Sequence, residues 1–144
     1  MVVTTASATL SLARKLETDE AVFCEELARA YPQGAEPFLA LAKENRKYIT
    51  HFERAYYSVI TDAIEGGYAF NLQEEEWVLD TSLAGNESSS EAVRRVQEMD
   101  DLISRFYTVA AEQSRGLMAD VPKAFLYIAR KRKEREERLR ALLS

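Results

Sequence analysis

Apolar residues in this chain recur at three- and four-residue steps along four long stretches. None of these stretches alternates in the two-residue rhythm of a half-buried strand. From about Ser7 to Tyr31 the apolar face runs Leu10, Ala13, Leu16, Ala21, Phe23, Cys24, Leu27 and Ala28, a predicted helix stopped by Pro32-Gln33-Gly34. A second stripe, from Phe38 through Leu41, Ala42, Asn45, Tyr48, Ile49, Phe52, Ala55, Tyr56, Val59, Ile60 and Ala63, ends at Gly66-Gly67. The pattern is then lost until Ser90, apart from a short helix predicted within Asn71 to Leu83 around the sole tryptophan, Trp77. Ser88 and Glu91 have capping-box spacing for a third helix with the face Ala92, Val96, Met99, Ile103, Phe106, Tyr107, Ala110 and Leu117. Asp120, two residues before Pro122, is predicted to cap a fourth helix. The core face of that helix reads Ala124, Phe125, Ile128, then arginines, then Leu139 and Leu142. The expectation is an all-α chain without a sheet.

The links between the first and second helices and between the third and fourth are short, so each pair is predicted to be an antiparallel hairpin. The middle link is long enough to travel the length of a bundle. The two hairpins also resemble each other. A shift of 83 carries Leu16-Glu17, Phe23 and Ala28 onto Met99-Asp100, Phe106 and Ala111. A shift of 87 carries Phe38-Leu39-Ala40-Leu41-Ala42-Lys43 onto Phe125-Leu126-Tyr127-Ile128-Ala129-Arg130. The expected organisation is a single domain over 1–144, with hairpin 1 at about 7–66, a crossover at about 67–89 and hairpin 2 at about 90–143.

A duplicated hairpin with one long crossover is the plan of a ferritin-like four-helix bundle. Within that superfamily the chain resembles the rubrerythrin branch. Leu16-Glu17 followed by Phe23-Cys24-Glu25-Glu26-Leu27-Ala28 is similar to the family's first-helix pattern, and Asp100 with Phe106-Tyr107 repeats it. Phe38 to Glu44 resembles the lead-in to the second-helix Glu-x-x-His motif, and Phe125 to Arg130 repeats that. In such proteins each hairpin supplies one carboxylate and one Glu-x-x-His pair, because residues three apart project to one side of a helix and reach one metal ion together. By the resemblance, Asn45 and Tyr48 stand at the glutamate and histidine positions of the first copy, and Arg132 and Arg135 at those of the second. Both motifs are gone.

Glu17 and Asp100 survive at the first-helix positions and are the only metal candidates the resemblance leaves. Two carboxylates do not replace six ligands, so no cofactor is expected. Iron or another divalent metal would need further donors such as Glu20, Asp101, Glu44 or Glu134. His51, the sole histidine, lies just outside the apolar stripe and reads as a surface residue. Stripping metal from a carboxylate-lined core strands buried negative charge unless cations replace it. An inward arginine, Arg132 in preference to Arg135, is therefore expected to pair with Glu17 or Asp100, with Asn45 and the Tyr48 hydroxyl completing the network. The competing expectation is that Arg130 to Arg138 is a solvated, charge-laced helix end.

Composition narrows the functions. At 144 residues the chain can bury roughly two-thirds of its unfolded surface. Its net charge of −5 offers no general attraction to nucleic acid or anionic lipid. No stretch approaches the ~20 apolar residues of a membrane span, and the first twelve residues lack the character of a secretory signal. One cysteine, Cys24, permits neither an intramolecular disulfide nor a Cys-x-x-Cys metal knuckle, and it reads as inert packing. Tyr56-Tyr57, Tyr68-Phe70 and Trp77 read as core aromatics. The leading expectation is a cytoplasmic, homodimeric, non-catalytic binding or interaction protein that has lost its di-iron centre. Two alternatives stay open: a rubrerythrin-like oxidoreductase handling peroxide or oxygen with atypical ligands and a separate electron-transfer partner, or a carrier of a small apolar ligand in the vacated cavity.

Overall fold

A computed structural model describes residues 1–59, 70–115 and 120–143. Four long helices dominate them: α1 (Ala6–Ala30), α2 (Ala35–Val59), α3 (Ser89–Ser114) and α4 (Asp120–Leu143). Local chemistry sets their ends. Thr5 caps α1 by accepting from the Ala8 amide at 3.2 Å, which satisfies one of the free donors of the first turn. Pro32–Gly34 forms a single 3₁₀ turn between α1 and α2. The Ser88/Glu91 capping box is present, with Ser88 Oγ accepting from the Glu91 amide at 3.1 Å and Glu91 accepting from the Ser88 amide. Asp120 lies in the first described turn of α4. The Gly66-Gly67 stop and Leu117 lie outside the described residues.

Side-chain contacts fix the helix directions. Arg14 pairs with Glu53 and Arg46 with Glu25, so α1 and α2 are antiparallel. Tyr107 meets Phe125 while Asp100 meets Arg135, so α3 and α4 are antiparallel too. His51 stacks on Tyr127 and Glu44 binds Arg138, which makes α2 and α4 antiparallel. Tyr107 reaches Glu17 and Arg95 lies over Phe23, which does the same for α1 and α3. The hairpins meet along these last two pairs. Helices α2 and α3 therefore run in the same direction, and the chain between them must return the length of the bundle. Phe23, Phe52, Phe106, Tyr107, Phe125, Ile103 and Ile128 fill the interior without exposure.

The described part of the crossover is pinned at both ends and in the middle. Its start lies beside the N-terminus, where the Phe70 amide donates to Thr4 and β1 (Val2–Val3) pairs antiparallel with β2 (Leu72–Gln73). In the middle, Trp77 stands edge-on to Phe106 at 5.6 Å, and Arg95 donates to the Asp80 and Ser82 carbonyls. At the far end the Tyr31 hydroxyl donates to the Glu87 carbonyl at 2.5 Å.

This corrects four expectations. A small two-stranded ladder exists, and two residues per strand are too few to show a period. Trp77 follows a 3₁₀ turn, Glu74–Glu76, where a short α-helix was expected. Tyr56 is core but Tyr57 is 66% exposed, because adjacent helical positions diverge by 100°. Leu142 is 40% exposed, so the last fully buried position of α4 is Leu139, with Leu143 packing on the core in part.

Candidate functional site

The bundle centre is ionic. Arg132 and Arg135 stand three residues apart on the inner face of α4 and are among the largest wholly buried side chains, at 1% and 0% exposure. Arg132 donates to Glu20 at 3.0 Å and also pairs closely with Glu17 and Asp100. Arg135 donates to Glu20 at 2.8 Å and to both oxygens of Asp100 at 3.0 and 3.1 Å. It further reaches the Asn45 side-chain oxygen at 2.6 Å and the Leu41 carbonyl at 3.3 Å. Asn45 turns its amide nitrogen to Glu20 at 2.8 Å, and the Tyr107 hydroxyl donates to Glu17 at 2.6 Å. All four helices contribute.

Every position singled out by the resemblance therefore comes together here. Both arginines point inward, where at least one was expected to, Arg132 in preference to Arg135. Glu17 and Asp100, the residual metal candidates, are held by guanidinium groups. Tyr48 offers its ring to the Arg132 guanidinium, 5.4 Å from the centroid, and its hydroxyl makes no hydrogen bond among the described residues. Burial pushes that hydroxyl up to about 12. Of the other proposed donors only Glu20 joins the cluster. Glu44 binds Arg138, Glu134 binds Lys131, and Asp101 is exposed. His51 lies on the outer surface against Tyr127. Cys24 is sealed in, and burial holds its thiol well above the ordinary value, as inert packing requires.

Sequence reasoning undervalued two residues. Glu20 sits one turn after Glu17 and bridges both arginines to Asn45; its signal was the carboxylate spacing on a buried face. Tyr107 was assigned to packing, yet a buried tyrosine needs a partner for its hydroxyl, and Glu17 provides it.

Three carboxyl groups face two guanidiniums, so full ionisation would leave one buried negative charge. Burial raises Asp100, and the neighbouring Glu20 adds to this; despite both arginines its carboxyl reaches about 8. Burial likewise raises Glu17. Glu20 feels the same burial, but Arg132 and Arg135 outweigh it and hold its carboxyl below the ordinary value. The proton left over by the charge count thus belongs to the Glu20–Asp100 pair, in which Asp100 is the member raised. A guanidinium is permanently charged and has no lone pair to give a metal, so the donor set does not fit a di-iron centre.

Asn45 satisfies a buried carboxylate and a buried guanidinium at once. Asn45→Leu should cost ~1–3 kcal/mol, the usual penalty for leaving such groups short of a partner. Thermal unfolding checks this, and an unchanged melting temperature would mean that the network closes without it.

Comparison with protein-family models, with curated proteins and with solved structures finds no match to this chain. None of the described helices is long and apolar enough to cross a membrane.

Proposed function

We propose that this chain is a rubrerythrin-related, ferritin-like protein whose di-iron centre has been replaced by a salt-bridged core. In this reading it works by binding rather than catalysis, as a cytoplasmic homodimer. The observation that carries it is a convergence. Glu17, Asn45, Tyr48, Asp100, Arg132 and Arg135, matched one by one to ligand positions, lie around one point on four helices. A generic bundle has no reason to bury two arginines there, since well-packed apolar residues of similar size are as stable or more so. Descent from a carboxylate-lined site supplies the reason: the acids were inherited and the cations answer them.

Restoring the motif tests the reading. The fourfold variant Asn45→Glu, Tyr48→His, Arg132→Glu, Arg135→His should bind about two divalent ions per chain, as the family's ligand set does. Its folding should depend on cobalt or zinc, because the apo core would be crowded with like charge. Elemental analysis, cobalt absorption and melting with and without metal report the outcome. A variant that gains neither metal nor metal-dependent stability removes the claim of descent. Stoichiometric metal in the parent protein would instead favour the oxidoreductase alternative.

A further inference from the structure

On the outer surface, α2 and α4 border a groove of about 550 Å³ whose lining shares no residue with the central cluster. Two small residues, Ala55 and Ala124, line it together with the stacked pair His51–Tyr127, whose ring centroids are 4.4 Å apart. Arg54 projects from α2, and Lys123 and Arg130 from α4. None of these three cations has an ion pair or side-chain hydrogen bond among the described residues. Among the described residues Asp120 is the one acid in the lining.

Elsewhere on the surface of α2 and α4 the sequence neutralises its charges. Arg138 takes Glu44 in two bonds at 2.7 and 3.0 Å, and Lys131 takes Glu134 at 3.3 Å while lying 5.6 Å from the Tyr127 ring centroid. The segment around Ala55 and Ala124 breaks that habit. Among the described residues, three cations against one carboxylate leave two positive charges over a recess, in a chain whose net charge is −5. Unpaired cations around a concave surface concentrate the field in it and attract anions of matching charge. Two arginines supply fork-shaped donors suited to phosphate oxygens, and the lysine adds a mobile point charge.

We propose that this groove is a binding site for a small phosphate dianion, free or as a phosphomonoester, held by Arg54, Lys123 and Arg130 beside the His51–Tyr127 pair. His51 is neutral near pH 7, since burial and then Arg54 push its imidazole down. A bound dianion would offset Arg54 and favour the protonated ring. The site lies apart from the charge cluster and does not depend on the lineage proposed above.

His51 is the only histidine, so its proton NMR signal is a private reporter of the groove. Orthophosphate and glycerol phosphate, titrated separately into the intact protein at constant pH and ionic strength, should move that signal saturably in the millimolar range or below. Which probe binds more tightly distinguishes the free ion from an ester. The variant Arg54→Gln, Lys123→Gln, Arg130→Gln changes exposed side chains only and should weaken binding by about tenfold or more. Saturation by neither probe overturns the proposal. So does equal binding by the variant, or a response to heparin alone, which would mark a diffuse polyanion surface.

Discussion

Replacing Arg132 by methionine should destabilise the protein by ~3–5 kcal/mol, the usual cost of stranding buried charge. The geometry places this change at the upper end for the molecule, because one guanidinium serves Glu17, Glu20 and Asp100 together. Methionine fills much of the volume, so the loss reports charge more than cavity. For a domain of this size the melting temperature should fall by roughly 6–20 °C. Glu17→Gln in the same chain should recover part of the loss, since a neutral amide no longer needs that cation, and Tyr107 keeps an oxygen acceptor there. A single variant that melts with the parent would show that the centre tolerates an unpaired carboxylate. A double variant no more stable than the single would show that Glu17 is not among the stranded groups.

How much of this was legible beforehand depends on which physical signal each residue leaves. The four helices declare themselves because 3.6-residue periodicity accumulates over some 25 positions. Arg132 and Arg135 could be suspected of facing inward because they interrupt an apolar stripe between Ile128 and Leu139 at the i, i+3 spacing of a lost ligand pair. Sequence could not decide between that and a solvated end, since long stems let arginines reach water from almost any position. The choice is made by the partners on α1 and α3, which are distant in sequence and adjacent only after folding. Glu20 was under-read for the same reason: an acid one turn from another acid has no evident use until two cations appear opposite. The crossover left almost no signal. Val2-Val3 and Leu72-Gln73 pair because the chain entry and the crossover happen to pass the same end of the bundle. Trp77 is buried against Phe106 by a loop that has no period of its own.

The charge count at the centre also dictates a pH dependence with a definite sign. Asp100 ionises near 3.8 in an unfolded chain and at about 8 in the folded protein. Between those values the folded state holds a proton that the unfolded state has released, so raising the pH favours unfolding by up to ~1.4 kcal/mol per pH unit for a fully retained proton. The stabilisation is complete below the lower value and is lost as the pH climbs through the upper one. Glu17, also raised, acts in the same direction. Glu20, which is lowered, contributes stability that vanishes only on acidification below its ordinary 4.5. His51 opposes the trend on the acid side of its ordinary 6.5, because its folded-state value is depressed. The decisive quantity is therefore the difference between the parent and Asp100→Asn, measured by melting from about pH 5.5 to about pH 8.5, across the upper part of the window between 3.8 and about 8. The parent should lose several degrees across that range, whereas the variant, neutral at every pH and still able to accept from both arginines, should lose much less and melt higher than the parent at the alkaline end. If the two curves run parallel, the retained proton is not on Asp100. If both rise with pH, all three carboxylates are ionised together and the two arginines suffice to hold them.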